Sequence, residues 1–121
     1  MSRKYVCVLD MDETLGFSAG ETFHVRPKFQ CLINFLKVVE ADIILCLGSD
    51  DYVRRVASAH IRDMYQEPIF LMAVDDKVSE NMDEQYDLCI YIPPYTKVNS
   101  CDKELLLVCE KMINGIAELS P

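Results

Sequence analysis

Four short apolar runs, none broken by a polar residue, divide the chain. They cover residues 5–9, 43–47, 69–74 and 88–92. The runs are rich in residues that favour strands. Because apolar and polar residues do not alternate within them, each run is typical of a strand buried on both faces of a parallel sheet.

Between these strands, apolar residues recur at the spacing of an amphipathic helix. The first predicted helix covers residues 29–39, and Pro27 fits its first turn. The second follows Ser49 or Asp50, either of which can cap it. The apolar positions of these two helices are Phe29, Leu32, Ile33, Leu36 and Val39, then Tyr52, Val53, Val56, Ala57 and His60.

A third helix is predicted near the end of the chain, starting at Ser100 or Asp102. Its apolar positions continue to Ile116, and Gly115 is expected to be a weak point within it. Residues 16–27 contain two glycines and one proline and predict a loop or a small flap. Residues 77–87 are polar, with room for one helical turn.

The predicted order is strand, helix, strand, helix, strand, turn, strand, helix. Buried strands that alternate with amphipathic helices indicate the α/β class, with a parallel sheet of about four strands covered by helices on both faces. We therefore expect a three-layer Rossmann-like fold. The length of 121 residues fits one domain, so residues 1–121 are expected to fold as a single unit.

Composition narrows the possible partners. The chain has 12 basic and 20 acidic residues and a net charge of −8, and the excess negative charge lies entirely within residues 63–121. An acidic chain is a poor candidate for direct binding to a nucleic acid backbone. No apolar run is long enough to span a bilayer, and the first strand begins without a signal-peptide core. We expect no membrane partner.

The six cysteines show no paired spacing typical of a zinc ribbon. Three of them, Cys7, Cys46 and Cys89, lie within the predicted strands, where a thiol behaves as a small apolar group. We expect all six to be reduced, which indicates a cytoplasmic or nuclear location.

Acidic residues follow two of the predicted strands directly. Asp10 and Asp12 follow the first, and Asp75 and Asp76 follow the third. If these strands are neighbours, the four carboxylates converge at the carboxyl edge of the sheet, where ligands bind in open parallel sheets. Clustered like charges destabilise the protein unless a cation neutralises them, and Mg²⁺ suits an open carboxylate site. One carboxylate could then act as a nucleophile and another as an acid or base.

These residues also carry a resemblance. Residues 8–15 resemble the D-x-D-x-T motif of the haloacid dehalogenase-like phosphatases, in the Asp-Glu-Thr-Leu form typical of RNA polymerase II C-terminal-domain phosphatases. Further stretches agree with that family in order along the chain, up to about residue 112. They are Val25-Arg26-Pro27 before Phe35-Leu36, then Gly48-Ser49-Asp50, Val74-Asp75-Asp76, Ile92-Pro93-Pro94-Tyr95 and Asp102-x-Glu104-Leu105.

The resemblance implies a role for each matching residue. Asp10 would accept the phosphoryl group, and Asp12 would protonate the leaving group and then activate water. Thr14 would position the first loop, and Ser49 would hydrogen-bond the phosphoryl oxygens. The resemblance further implies that Mg²⁺ is held by Asp76 and Asp75, together with the Asp10 carboxylate and the Asp12 backbone carbonyl.

Two features depart from the family pattern. The family places a lysine between its second and fourth motifs. This chain has no lysine between Ser49 and Asp76, where arginines are its only residues with a permanent positive charge. Lys77, adjacent to the acidic pair, is the candidate replacement. The 25 residues between Ser49 and Asp75 leave no room for a cap or for the insertion that shapes the substrate groove in the polymerase-tail enzymes.

The expected function is that of a minimal, capless phosphatase acting on a phosphorylated protein, most simply on phosphoserine or phosphothreonine, or on another phosphate monoester. The alternative is a weak or inactive relative that serves as a binding or assembly module, since the family's lysine is missing. A nucleotide or sugar phosphatase would commonly need a cap. The exposed edge beside the second strand allows a homodimer in either case.

Overall fold

The computed structural model describes residues 3–46, 51–77 and 85–119, and of residues 51–56 the backbone. The four predicted strands and three predicted helices are present there, with ends shifted by at most four residues. The single helical turn predicted within residues 77–87 lies mostly outside the described residues. The elements are β1 (Lys4–Asp10), β2 (Gly16–Ala19), β3 (Thr22–Val25), α1 (Phe29–Val38), β4 (Asp42–Cys46), α2 (Asp51–Met64), β5 (Ile69–Asp75), β6 (Leu88–Tyr91) and α3 (Glu104–Leu119).

The main sheet has four parallel strands in the order β4-β1-β5-β6. The prediction of an α/β fold around a parallel sheet is therefore confirmed. β1 lies between β4 and β5, with Leu9 opposite Leu45 on one side and Val74 on the other. The first and third predicted strands are thus neighbours, and their carboxyl ends lie at the same edge of the sheet.

Helices cover both faces of this sheet, because successive side chains of each strand point to opposite sides. On one face, Cys7 and Leu9 of β1 pack with Leu32 and Leu36 of α1 and with the buried side of α3. On the other face, Val6 and Val8 pack with residues that include Ile61 of α2. All seven residues of β5 are buried, which agrees with its unalternating sequence.

A two-stranded hairpin, β2–β3, occupies the residues predicted as a loop or small flap. Its strands have four residues each, too few for alternation to stand out in the sequence. Gly16 is required at its base, because a Cβ there would collide with the backbone oxygen of His24. Gly20 takes a left-handed conformation, with a φ of 63°, at the turn.

The third helix, α3, runs through Gly115 without a break. Gly115 is buried, and the side chain of Leu88 in β6 fills the space where a Cβ would lie. The expected weak point is therefore a position of close packing between helix and sheet. The helices of the described segments are all too short or too polar to cross a lipid bilayer.

Candidate active site

Acidic side chains from two neighbouring strands meet at the carboxyl edge of the sheet. Asp10 is the last residue of β1 and Asp75 the last of β5, and both are buried, with exposures of 5% and 1%. Asp76, the next residue, is half-buried. One carboxylate oxygen from each of the three lies within 4.8 Å of the others. We call Asp10, Asp75 and Asp76 the acidic triad.

Thr14 joins the loop after β1 to this triad. Its buried hydroxyl lies 2.8 Å from Oδ2 of Asp10 and 3.2 Å from Oδ1 of Asp76. A hydroxyl has one proton, so it donates to one of these oxygens at a time. The loop returns Thr14 to Asp10 through a tight turn, in which Glu13 has a φ of 64° and Leu15 N–H donates to Met11 O at 3.0 Å.

Asp12 does not join the triad. Sequence reasoning placed four carboxylates together, but the Asp12 side chain is exposed and is not in the group of three. The reason is local geometry, because β1 ends at Asp10 and the turn at Glu13 follows, so strand alternation does not extend to Asp12. Asp12 instead lines an open cavity beside the loop.

Lys77 lies next to the triad along the chain, but contributes its backbone there. Its N–H donates to Oδ1 of Asp75 at 3.0 Å, while its side chain is exposed. Among the described residues, no ion pair involves the Lys77 ammonium group. Ser49, the remaining predicted site residue, lies outside the residues that the structure describes.

Sequence reasoning missed a buried arginine that supports the loop. Arg26 is 2% exposed and forms a two-pronged ion pair with Asp102, through Nε at 2.8 Å and Nη2 at 3.1 Å. Its Nη1 donates to the backbone oxygen of Thr14 at 3.3 Å. The only sequence signal was the Arg-Pro pair before α1, which does not reveal burial.

Tyr95 completes this support. The guanidinium carbon of Arg26 lies 5.2 Å from the centre of the Tyr95 ring, and Tyr95 N–H donates to the backbone oxygen of Glu13 at 2.7 Å. We call Arg26, Asp102 and Tyr95 the loop clamp. Arg26 and Tyr95 thus hold the turn by the backbone oxygens of Thr14 and Glu13.

The donor set of the triad fits a hard divalent cation. Three carboxylates within 4.8 Å, two of them buried, concentrate negative charge where water screens it poorly. Carboxylate oxygens are the ligands that Mg²⁺ takes in proteins, usually with several waters. Asp10, Asp75 and Asp76 could hold such an ion at the edge of the sheet.

The cavity beside the loop has a volume of about 560 Å³. Its described walls come from the loop after β1, from the β2–β3 hairpin and from Thr96, which follows β6. It is open to solvent on one side. Asp12, two residues beyond Asp10 of the triad, is the lining residue through which the cavity adjoins the candidate site.

Comparison with known proteins gives no assignment. The chain matches no family model, no curated protein and no solved structure. The chemistry of the site therefore has to be argued from the residues of this chain.

Proposed function

We propose that the protein is a Mg²⁺-dependent phosphatase with a minimal haloacid dehalogenase-like core. One observation carries the proposal: the Asp-x-Asp-x-Thr segment follows a central strand, and its first Asp and its Thr converge with Asp75 and Asp76 from the neighbouring strand. This is the arrangement that the resemblance implies for an aspartate nucleophile beside a metal site.

The proposed reaction has two displacements on phosphorus. An oxygen of Asp10 attacks the phosphate monoester, the bond from phosphorus to the ester oxygen breaks, and Asp12 gives its proton to the departing oxygen. Asp12 then takes a proton from water, which attacks the phosphorus of the aspartyl phosphate; the bond from phosphorus to the Asp10 oxygen breaks, inorganic phosphate leaves and the Asp10 carboxylate is restored. The exposure of Asp12 supports this assignment, because an acid that serves the leaving group must reach the open side of the site.

The surrounding residues hold this chemistry in place. Asp10, Asp75 and Asp76 would hold Mg²⁺ together with the Asp12 backbone carbonyl, and the ion would neutralise charge on the transferring phosphoryl group. The Thr14 hydroxyl orients Asp10 by its 2.8 Å hydrogen bond. Ser49 is proposed to bind the phosphoryl oxygens, and Lys77 to reach them with its exposed side chain.

The proposed substrate is a phosphorylated protein, with phosphoserine or phosphothreonine as the phosphorylated residue. The supporting feature is the open cavity beside Asp12, which can take groups that continue on either side of a phosphate. A small ester would find few contacts on so open a surface. Water exclusion would then depend on the substrate itself.

The test is hydrolysis of an aryl phosphate, with and without Mg²⁺. We expect Mg²⁺-dependent turnover that falls by about a thousandfold or more in Asp10→Asn, since the nucleophile is lost. Asp63→Asn, at an exposed position of α2, is the matched control and should keep full turnover. Lys77→Ala should lower turnover and Lys111→Ala, exposed on α3, should not.

A folded protein with no turnover above that of Asp10→Asn would overturn the proposal. That result would favour the alternative, a phosphatase-like binding or assembly module. Its supporting observation is that no lysine lies between Ser49 and Asp76, where the resembling family places one. Unchanged turnover in Lys77→Ala would remove only the role proposed for Lys77.

A further inference from the structure

The cavity beside Asp12 has two chemically different walls. The loop after β1 contributes the acidic residues Asp12 and Glu13 to its lining, and the hairpin contributes the aromatic residues Phe17 and Phe23. None of the described lining residues is a lysine, arginine or histidine. The cavity is therefore negative and partly aromatic.

This combination suits a particular kind of side chain. A cationic group is attracted both to carboxylates and to the faces of aromatic rings. Lysine and arginine also have apolar stems that pack along rings while their charged ends stay near water. An acidic side chain would be repelled by Glu13, and a short apolar one would leave the Glu13 carboxylate without a partner.

The aromatic wall is held in a fixed position. The ring of Phe17 stacks on His24 at 5.0 Å between centroids and contacts Tyr95 at 5.5 Å. Tyr95 belongs to the loop clamp and also bonds the backbone of Glu13. The two walls are thus connected through one buried tyrosine. A cavity with fixed walls loses less entropy on binding than a mobile surface does.

We propose that this cavity is a substrate subsite for a lysine or arginine side chain close to the phosphorylated residue. The inference rests on the proposed phosphatase function and narrows its substrate class to phosphoproteins with a basic flanking residue. Asp12 lines the cavity and lies two residues beyond Asp10, so the cavity adjoins the loop that carries the proposed nucleophile.

The experiment compares matched phosphoserine peptides. Each peptide carries a single arginine at one of the three positions on either side of the phosphoserine, and its partner carries norleucine there, which keeps an apolar stem without charge. Dissociation constants are measured by fluorescence anisotropy with Mg²⁺ on the Asp10→Asn protein, so that hydrolysis does not interfere. For the best position, we expect arginine to bind about tenfold more tightly, the size expected for one ion pair and one ring contact near water.

Two variants assign the preference to the cavity. Glu13→Gln keeps the size of the side chain but removes one carboxylate, and should reduce the arginine preference to about twofold. Ser18→Lys places a positive charge on an exposed lining position and should abolish it. Glu21→Gln removes an exposed carboxylate of the hairpin that does not line the cavity, and should leave the preference intact.

Equal affinity of arginine and norleucine peptides at every position would overturn the subsite. A preference that survives both Glu13→Gln and Ser18→Lys would also overturn it, because the charge would then be recognised elsewhere. The failure of the proposed function is seen separately, as the absence of aryl phosphate hydrolysis in the wild-type protein. Circular dichroism of each variant confirms that it is folded.

Discussion

At the scale of single residues, strain in the backbone marks positions where the chain departs from its intrinsic preferences. Glu13, Lys28 and Glu40 adopt left-handed conformations, with φ values of 64°, 70° and 57°. This conformation costs a residue with a Cβ about 1–2 kcal/mol relative to the right-handed one. At Glu13 the strain belongs to the turn that brings Thr14 to Asp10. At Glu40 it belongs to the end of α1.

Glu40→Gly is expected to stabilise the protein by about 1 kcal/mol. Glu40 stands where helix-ending motifs favour glycine, and Ala41 N–H donates to Leu36 O at 2.9 Å across it. Glycine removes the strain and keeps the Glu40 carbonyl that accepts from Lys4 Nζ at 2.9 Å. Urea unfolding should show a higher midpoint at an unchanged slope. Glu110→Gly, at an exposed position within α3, should instead destabilise by about 1 kcal/mol. Equal losses in both variants would contradict the interpretation.

Tyr65→Phe is expected to destabilise the protein in a pH-dependent way. The Tyr65 hydroxyl donates to Oδ2 of Asp42 at 2.6 Å, which lowers the pKa of Asp42 below its usual 3.8 and raises the pKa of Tyr65 to about 12. A carboxyl group whose pKa is lowered by folding stabilises the protein at a pH above its pKa in the unfolded state. This stabilisation is lost as the pH falls through its pKa in the folded state. A phenol group whose pKa is raised by folding stabilises the protein at a pH below its pKa in the unfolded state. This stabilisation is lost as the pH rises through its pKa in the folded state.

The difference between wild type and Tyr65→Phe should therefore be greatest at neutral pH. Because the pair is near water, we expect a loss there of no more than about 1 kcal/mol. This loss should shrink as the pH falls below 3.8, the usual carboxyl pKa, and as the pH rises from 10 towards about 12. Urea titrations at three pH values measure it. Tyr5→Phe, whose ring packs edge-on against Phe70 at 5.8 Å, is the control and should show no such profile. A constant difference across the pH range would be evidence that packing, not the hydrogen bond, matters at Tyr65.

At the scale of structural elements, the loop clamp ties β1's loop to the start of α3. Arg26 follows β3 directly, and Asp102 comes two residues before α3 begins. Asp102 Oδ1 also accepts the N–H of Glu104 at 3.2 Å, at the first turn of that helix. The hairpin, the loop after β1 and α3 are therefore linked through one ion pair. The side chains of its two partners are 1% and 12% exposed.

Arg26→Met is expected to destabilise the protein by about 3–5 kcal/mol. It leaves the Asp102 carboxylate without its buried partner and the Thr14 carbonyl without the Arg26 donor. Arg62→Met, whose exposed ion pair with Asp87 spans 3.4 Å, should cost no more than about 1 kcal/mol. The double variant Arg26→Met with Asp102→Leu should recover much of the loss, since no unpaired charge is then buried. Urea unfolding of these variants and of the single variant Asp102→Leu gives the coupling between Arg26 and Asp102. Equal effects at Arg26 and Arg62 would contradict the role of the clamp.

At the scale of the whole molecule, the sequence predicts the layers better than the loops. Unalternating runs locate the four strands of the sheet, because burial on both faces leaves a direct compositional signal. The edge position of β4 also agrees with the expected exposed edge, and dimerisation through it stays a prediction. The hairpin could not be predicted, since two four-residue strands leave too short a pattern. The continuity of α3 through Gly115 depends on Leu88, which no local rule connects to it.

The sequence likewise predicts one part of the candidate site and not another. Asp10 and Asp75 could be placed together because parallel strands end at one edge, and the structure brings them together with Asp76. The direction of Asp12 depends on the turn at Glu13, so strand alternation gave the wrong answer there. The burial of Arg26 depends on a partner 76 residues away, and sequence reasoning had no means to pair them.

Because the acidic triad is negatively charged, the effect of Asp76→Asn on stability is expected to change sign when Mg²⁺ is present. Without the ion, three carboxylates within 4.8 Å repel one another, so Asp76→Asn should raise stability by about 1 kcal/mol. With Mg²⁺ at ten times its dissociation constant, binding should stabilise the wild type by about 1.4 kcal/mol, which corresponds to about 5 °C in Tm. Asp76→Asn should gain much less, so the order of the two proteins should reverse. The Asn side chain keeps an oxygen for the Thr14 contact at 3.2 Å.

Thermal unfolding over a series of Mg²⁺ concentrations tests this reversal at constant ionic strength, because salt alone also screens the triad. Asp63→Asn, at an exposed site on α2, should follow the wild type at every concentration. Parallel curves for wild type and Asp76→Asn would mean that the triad holds no ion, whatever the protein hydrolyses. If the order of stability reverses but the protein shows no turnover, the triad binds Mg²⁺ without catalysis. The residues proposed to bind phosphate, Ser49 and Lys77, would then be the next to test.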